Sequence, residues 1–321
     1  MNKRVFDKKD FYYVAPFRMR DVIAGASDDL HPAFAGGKGF WVAKYPLCAA
    51  GGKFFVRKGG DPAVGYDLNE ALDVCSKAGA RMMTALEWGA ITLQCFRRGF
   101  LPRGNTDYGK GVGETEYVAI PTETNAEGKT IRTAAGTGPK EWNHDGTENG
   151  IADLVGNVWE WQNGLKLKKG VLLVMPDPAS DKWKTIDASS GEFAEENAKN
   201  AVRIAWDGQN FFYTGSEKAE EDVIRHCPIA DVYADETVCV KAKEKLLALA
   251  LLLPGPGLAD GVSFYANAGA AERACFRGGK CGMGVESGLY KTCLDDPPTL
   301  KTRSIGFRLS LGEQVWDRLG Q

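Results

Sequence analysis

The chain has 321 residues, enough for one large domain or two ordinary ones, and its 44% hydrophobic and 26% charged fractions exclude global disorder. Forty basic against forty-two acidic residues leave a net charge of −2, which provides no general attraction to a phosphate backbone, so no nucleic-acid partner is expected. The longest uninterrupted apolar run, Leu246 to Leu253, is stopped by Pro254 and Gly255. That is far short of the roughly 18 residues that span a bilayer, so no membrane insertion is expected.

In chain order, Met1 to Asp10 is charged and has no apolar core before a small-residue cleavage site, which predicts a soluble product made in the cytoplasm without a signal peptide. Residues 1–35 read as an N-terminal extension and 36–321 as a single domain. Phe40 to Tyr45 is the first expected strand. Asp67 stands three residues before Glu70, a capping box that opens a helix carrying Leu68, Leu72, Cys75 and Ala78 on one face and closing at Gly79. Thr84 and Glu87 repeat the pattern, with Met83 and Trp88 at the staple positions, and this second helix ends at Arg97, Arg98 and Gly99. Leu165 to Val174 and Phe211 to Thr214 are expected strands, with an insert at about 174–229. A third helix is expected over about Val238 to Leu252, ended by Pro254-Gly255-Pro256-Gly257, and a last strand over Gly306 to Leu311. The 39 glycines predict many turns and few long helices.

Eight cysteines form no C-x-x-C pair, and His31, His144 and His226 are scattered, so no zinc motif is present. There is no Gly-x-Ser-x-Gly, no phosphate loop and no His-Glu-x-x-His, and no catalytic residue is assigned. Three segments carry more information. Gly79-Ala80-Arg81-Met82-Met83-Thr84-Ala85-Leu86-Glu87-Trp88 leads into the second helix. Asp153-Leu154-Val155-Gly156-Asn157-Val158-Trp159-Glu160-Trp161 follows Trp142-Asn143-His144-Asp145-Gly146. Arg277-Gly278-Gly279 and Ile305-Gly306-Phe307-Arg308 frame the C-terminal part. Trp159 and Trp161 alternate with Glu160 as in a strand with one face buried, and Arg308 is placed to bond carboxylates or carbonyls inside a loop-rich core. On these grounds the motifs are expected to be scaffold.

In this order, over about Gly36 to Leu311, the motifs resemble the formylglycine-generating-enzyme type of C-type lectin fold. The resemblance implies an α/β, loop-rich domain with two main helices and short antiparallel sheets. In that family the Asp153–Glu160 loop can hold calcium. The matching positions are Asp153, Gly156, Val158 and Glu160, and an ion-free hydrogen-bonded loop is the alternative. No other cofactor is implied. The family's enzyme uses two cysteines and copper, but counting from Arg277-Gly278-Gly279 those positions fall on Met283 and Gly288, and neither supplies a thiolate. Cys281 and Cys293 are twelve residues apart, where the family's spacing is five. The chain is therefore expected not to be an enzyme.

Arg277 to Arg308 also resembles the variable region of target proteins of diversity-generating retroelements, many carried by phages. The shared frame is Arg277, Gly278, Gly279, Gly284, Gly288, Leu289, Leu294, Pro298, Ile305, Gly306, Phe307 and Arg308. In that family a template is copied with errors at adenines and replaces the end of the target gene. Between frame positions, side chains of mixed chemistry follow neither period 2 nor period 3.6. The resemblance implies that Lys280, Cys281, Gly282, Met283, Glu286, Cys293, Asp295, Asp296, Leu300, Thr302 and Ser304 face outward as a ligand-binding surface within a variable region at 277–308. Cys281 stands where that group usually has tryptophan. Met283 and Leu300 would offer apolar contact, while Glu286, Asp295 and Asp296 favour a basic or donor-rich partner. A protein or surface ligand is the expected partner, and a place on a virion one expected location. The rivals are a copper-dependent formylglycine-type oxidase and an undiversified lectin-like binding protein.

Overall fold

A computed structural model describes residues 7–316. They form a mixed, sheet-dominated fold with three α-helices and no closed barrel. Helices α1 (Leu68–Lys77) and α2 (Ala85–Arg97) begin at the expected boxes. Asp67 Oδ1 accepts from Glu70 N at 2.9 Å, and Thr84 Oγ1 accepts from Glu87 N at 3.2 Å. Each glutamate reaches back to the cap nitrogen, satisfying two donors that a helix start leaves orphaned. Glu87 also accepts from Ser310 Oγ at 2.9 Å, which ties the α2 cap to the last strand.

Helix α3 is shorter than its apolar run implies. It spans Val240–Ala248 because Ala250 turns left-handed (φ 52°) and Leu251 N bonds back to Leu246 O, well before Pro254. Where α2 and α3 meet, a Cβ on Gly89 would lie 1.9 Å from Ala248 O, so glycine is what allows the helices to approach. No helix among the described residues is long and apolar enough to cross a membrane.

Two sheets organise the chain. The smaller runs Phe11–Val14, Phe40–Ala43, Leu309–Gly312, Arg81–Met82. Its first strand lies inside the stretch expected as an extension, yet pairs over its whole length with Phe40–Ala43. The larger sheet has twelve strands, and its central path is Arg225–Pro228, Ser263–Ala266, Gly288–Leu294, Arg273–Gly278, Trp159–Lys168, Val171–Val174. Strands from the expected insert, including Phe211–Thr214, extend it on the far side.

Two expected strands are divided. Leu165 to Val174 contains a hairpin, with Lys169 (φ 47°) and Gly170 (φ 79°) forming a two-residue turn whose double positive φ matches the strands' twist. Gly306 to Leu311 is split at Arg308 between Ile305–Phe307, which pairs with the large sheet, and Leu309–Gly312, which pairs with the small one. Arg308 is thus the residue at which the chain passes from one sheet to the other.

The Trp-Glu-Trp segment is a strand, but it is buried on both faces and not on the one expected, since Glu160 and Gln162 are as covered as Trp159 and Trp161. Trp161, fully buried, packs edge-on against Phe276 at 5.3 Å and donates to Tyr66 O at 3.1 Å. Glu160 is buried with Arg308. Its carboxylate takes Arg308 Nε at 3.0 and 3.2 Å, and the guanidinium also donates to Ala43 O at 2.9 Å and Ala152 O at 2.8 Å. This pair satisfies both charges inside the protein.

Candidate ligand-binding face

One face of the large sheet is built by register. His226, Tyr265, Cys293, Phe276, Trp161 and Phe307 are successive Cα partners across six strands. Their side chains therefore stand in one row on one side of the sheet. Beside the row, Trp159 packs edge-on to Phe276 at 5.1 Å, and its backbone nitrogen donates to Ser304 O at 2.9 Å. Met283 and Leu300, both half-buried, pack against the apolar cluster that contains Trp159, Phe276, Cys293 and Ile305. Side chains from two separate turns of the 277–308 segment thus pack against the same apolar cluster.

The eleven candidate positions differ in access. Lys280 and Gly282 are exposed, and Met283, Glu286, Asp295, Asp296, Leu300, Thr302 and Ser304 are half-buried. Cys281 and Cys293 are buried, contrary to the outward placement expected of them. Cys281 donates to Thr130 O at 3.1 Å against a neighbouring hairpin, and Cys293 lies in the registered row between Tyr265 and Phe276. Burial pushes both thiols up, so neither supplies a ready thiolate. Thr302 and Ser304 pair through their hydroxyls at 3.1 Å. Burial and the neighbouring Asp296 charge raise the Asp295 carboxyl to about 6.

Sequence reasoning missed Lys291, the most unusual residue here. It is fully buried on the same strand as Cys293, its ammonium 4.1 Å from the Tyr265 ring centroid and 5.6 Å from that of Trp159. Burial holds it below the usual lysine value. Lys291 and Cys293 stand two apart on the strand Gly288–Leu294 and so share one side of it, which no periodic pattern in the sequence signalled. Glu286, expected to look outward for a basic partner, is instead engaged with Ser263, Tyr265 and Lys291. On the opposite side of the sheet Arg277 is fully buried beside the Cys275 thiol. A cleft of about 410 Å³ opens between α1 and Trp159–Lys168, lined in part by Leu72, Gln162, Lys166, Trp183 and Glu272.

The four residues matched to a calcium loop do not form an oxygen cage. Glu160 is committed to Arg308, whose guanidinium supplies the positive charge at this point and also bonds Ala152 O. Asp153, held at φ 58°, accepts from Gly136 N at 2.6 Å, and Gly156 N donates to Gly278 O at 3.1 Å. Among the described residues no group of three or more histidine, cysteine, aspartate or glutamate side chains is placed to hold a metal. The donor set fits a hydrogen-bonded loop braced by an arginine and does not fit calcium.

Burial raises the Asp153 carboxyl from its ordinary 3.8 to about 6. The folded protein therefore keeps a proton that the unfolded chain releases. This group's contribution to stability is largest below about pH 4 and declines as the pH rises towards about 6. Asp153→Asn is expected to flatten the fall in stability across that window. Urea unfolding at each end of it checks this, and an unchanged pH slope in the variant would assign the effect elsewhere.

No protein-family model matches the chain, and no curated protein matches it. Solved structures do. The chain is similar to the Major Tropism Determinant P3c variant, with 14% identity and a TM-score of 0.35 over 86% of this chain and 51% of that one. It is similar to the U1 variant at 15% and 0.34, over 86% and 51%. It thus spans about half the length of those chains. It is also similar to PvdO from Pseudomonas aeruginosa, at 14% and 0.37, over 94% of each chain.

Proposed function

We propose that this chain is a non-catalytic ligand-binding protein with a formylglycine-generating-enzyme type of C-type lectin fold, whose 277–308 surface is rewritten by a diversity-generating retroelement of a phage or prophage. The observation that carries the reading is the pairing of a registered aromatic floor with chemically mixed, half-buried side chains at Met283, Asp295, Asp296 and Leu300. The apolar frame residues Leu289, Leu294, Ile305 and Phe307 are buried. Division of labour of this kind lets partly exposed positions change at small cost while the core keeps its packing. Affinity then rests on whichever few of them become good anchors. The partner is a protein or surface ligand, met by Lys280, Gly282, Met283, Asp296, Leu300 and Thr302. Cys281 and Cys293 do not take part.

The experiment has two arms. At the locus, the reading expects a reverse-transcriptase gene and a near-copy of the 3′ end differing mainly at adenines, and a complete locus with neither removes diversification. In the protein, combined substitutions at Lys280, Asp296 and Thr302 are expected to leave urea stability within about 1 kcal/mol while changing which ligands a displayed library retains. Unchanged binding after all three substitutions would place the ligand on another face.

A further inference from the structure

At the outer edge of this face three donors converge on one carboxylate oxygen. Glu286 Oε2 accepts from Ser263 Oγ at 2.8 Å and from Tyr265 Oη at 3.4 Å, and the Lys291 ammonium stands 3.5 Å from it. Lys291 also donates to Ser263 Oγ, so hydroxyl and ammonium form one connected network. The donors belong to two hydrogen-bonded strands, Ser263–Ala266 and Gly288–Leu294. The acceptor belongs to a three-residue 3-10 turn, Gly284–Glu286. Lys291 has no exposed side-chain surface, whereas 45% of the Glu286 side chain is open to solvent. The receiving half is therefore rigid and recessed, and the half that fills it is a superficial loop side chain.

We infer that Ser263, Tyr265 and Lys291 form a carboxylate receptor, filled in this chain by its own Glu286 and open to an outside carboxylate when residue 286 is neutral. The inference deepens the proposed function and rests on it in one respect, since position 286 is among those expected to vary. The chemistry follows from the ammonium. A buried cation deprived of its counter-charge is costly, and two hydroxyls aimed at the same point favour an oxyanion over a spherical ion. Hydrogen bonds from Ser263, Lys291 and Tyr265 hold the Glu286 carboxyl below its ordinary value, although partial burial alone pushes it up. Substitution at 286 thus changes the ligand class of the face, from a self-satisfied site to one that takes an acid.

The test uses the full chain carrying Glu286→Ala, with acetate as the probe. Acetate is expected to raise the thermal midpoint saturably by a few degrees, while chloride at matched ionic strength does not. The parent chain and Glu286→Ala/Lys291→Met are expected to show no acetate-specific shift. Equal effects of acetate and chloride on Glu286→Ala, or an acetate effect that survives Lys291→Met, would overturn the receptor. Two peptides separate the carboxylate sources. One has blocked ends and a single glutamate, and the other has its C-terminus as its only acid. Whichever displaces acetate identifies the source. If Glu286→Ala does not fold, Glu286→Gln is read by reductive methylation of Lys291. Faster labelling than in the parent, suppressed by acetate, supports the receptor, and labelling indifferent to acetate overturns it. A locus without a retroelement would remove diversification and leave this result standing.

Discussion

Arg308→Met is expected to lower folding stability by about 3–5 kcal/mol, because it strands Glu160 as an unpaired charge in the interior. The guanidinium bonds that carboxylate through Nε and also holds Ala43 O at 2.9 Å and Ala152 O at 2.8 Å. One substitution therefore opens three acceptors at the point where the chain crosses between sheets. Urea unfolding of the single variant and of Glu160→Leu/Arg308→Met separates charge from packing. The double variant is expected to recover part of the loss, since removing both charges leaves no buried ion to satisfy. A single variant within about 1 kcal/mol of the parent would mean that Glu160 finds another partner or a proton.

Trp161→Ala is expected to cost a similar amount, about 3–5 kcal/mol, through the cavity left by a fully buried indole. Its ring meets Phe276 at 5.3 Å and its Nε1 donates to Tyr66 O, so the lost volume is compounded by an orphaned carbonyl. Trp161 also belongs to the registered row beneath the candidate face. If the face binds as proposed, the variant is expected to weaken that binding without removing a side chain of the face, by loosening the cluster against which Met283 and Leu300 pack. Hydrogen exchange checks the mechanism, with faster exchange expected in Arg273–Gly278 and Gly288–Leu294. Unchanged exchange there would separate the indole from the face.

Local chemistry was legible in the sequence, and non-local geometry was not. The capping boxes at Asp67 and Thr84 depend on residues three apart, and both helices begin where those residues place them. The strand through Trp159 and Trp161 was legible for the same reason, but not its burial on both faces. The Lys169-Gly170 turn was missed because leucine and valine recur on both sides of it and lysine rarely takes positive φ, although Gly170 marks the spot. The early end of α3 at Ala248 is set by the left-handed turn at Ala250, where Leu251 N bonds back to Leu246 O, and not by Pro254. At the candidate site, the sequence pointed to the 277–308 segment, but not to the burial of Cys281 and Cys293. Those positions are decided by the Thr130 carbonyl and the Tyr265 and Phe276 strands, which are distant in the chain. Lys291 was overlooked because a lysine beside threonine and cysteine reads as solvated until its strand partners are known.

The last strand, Leu309–Gly312, lies in the middle of the small sheet, between Phe40–Ala43 and Arg81–Met82. A stop codon or frameshift anywhere in 277–308 would thus do more than shorten a tail. It would withdraw a central member from a four-stranded assembly and remove Arg308 along with it, leaving Glu160 without its counter-charge. A product truncated there lacks both the central strand and the buried counter-charge, so folding of the small sheet depends on the chain running through to Leu309–Gly312.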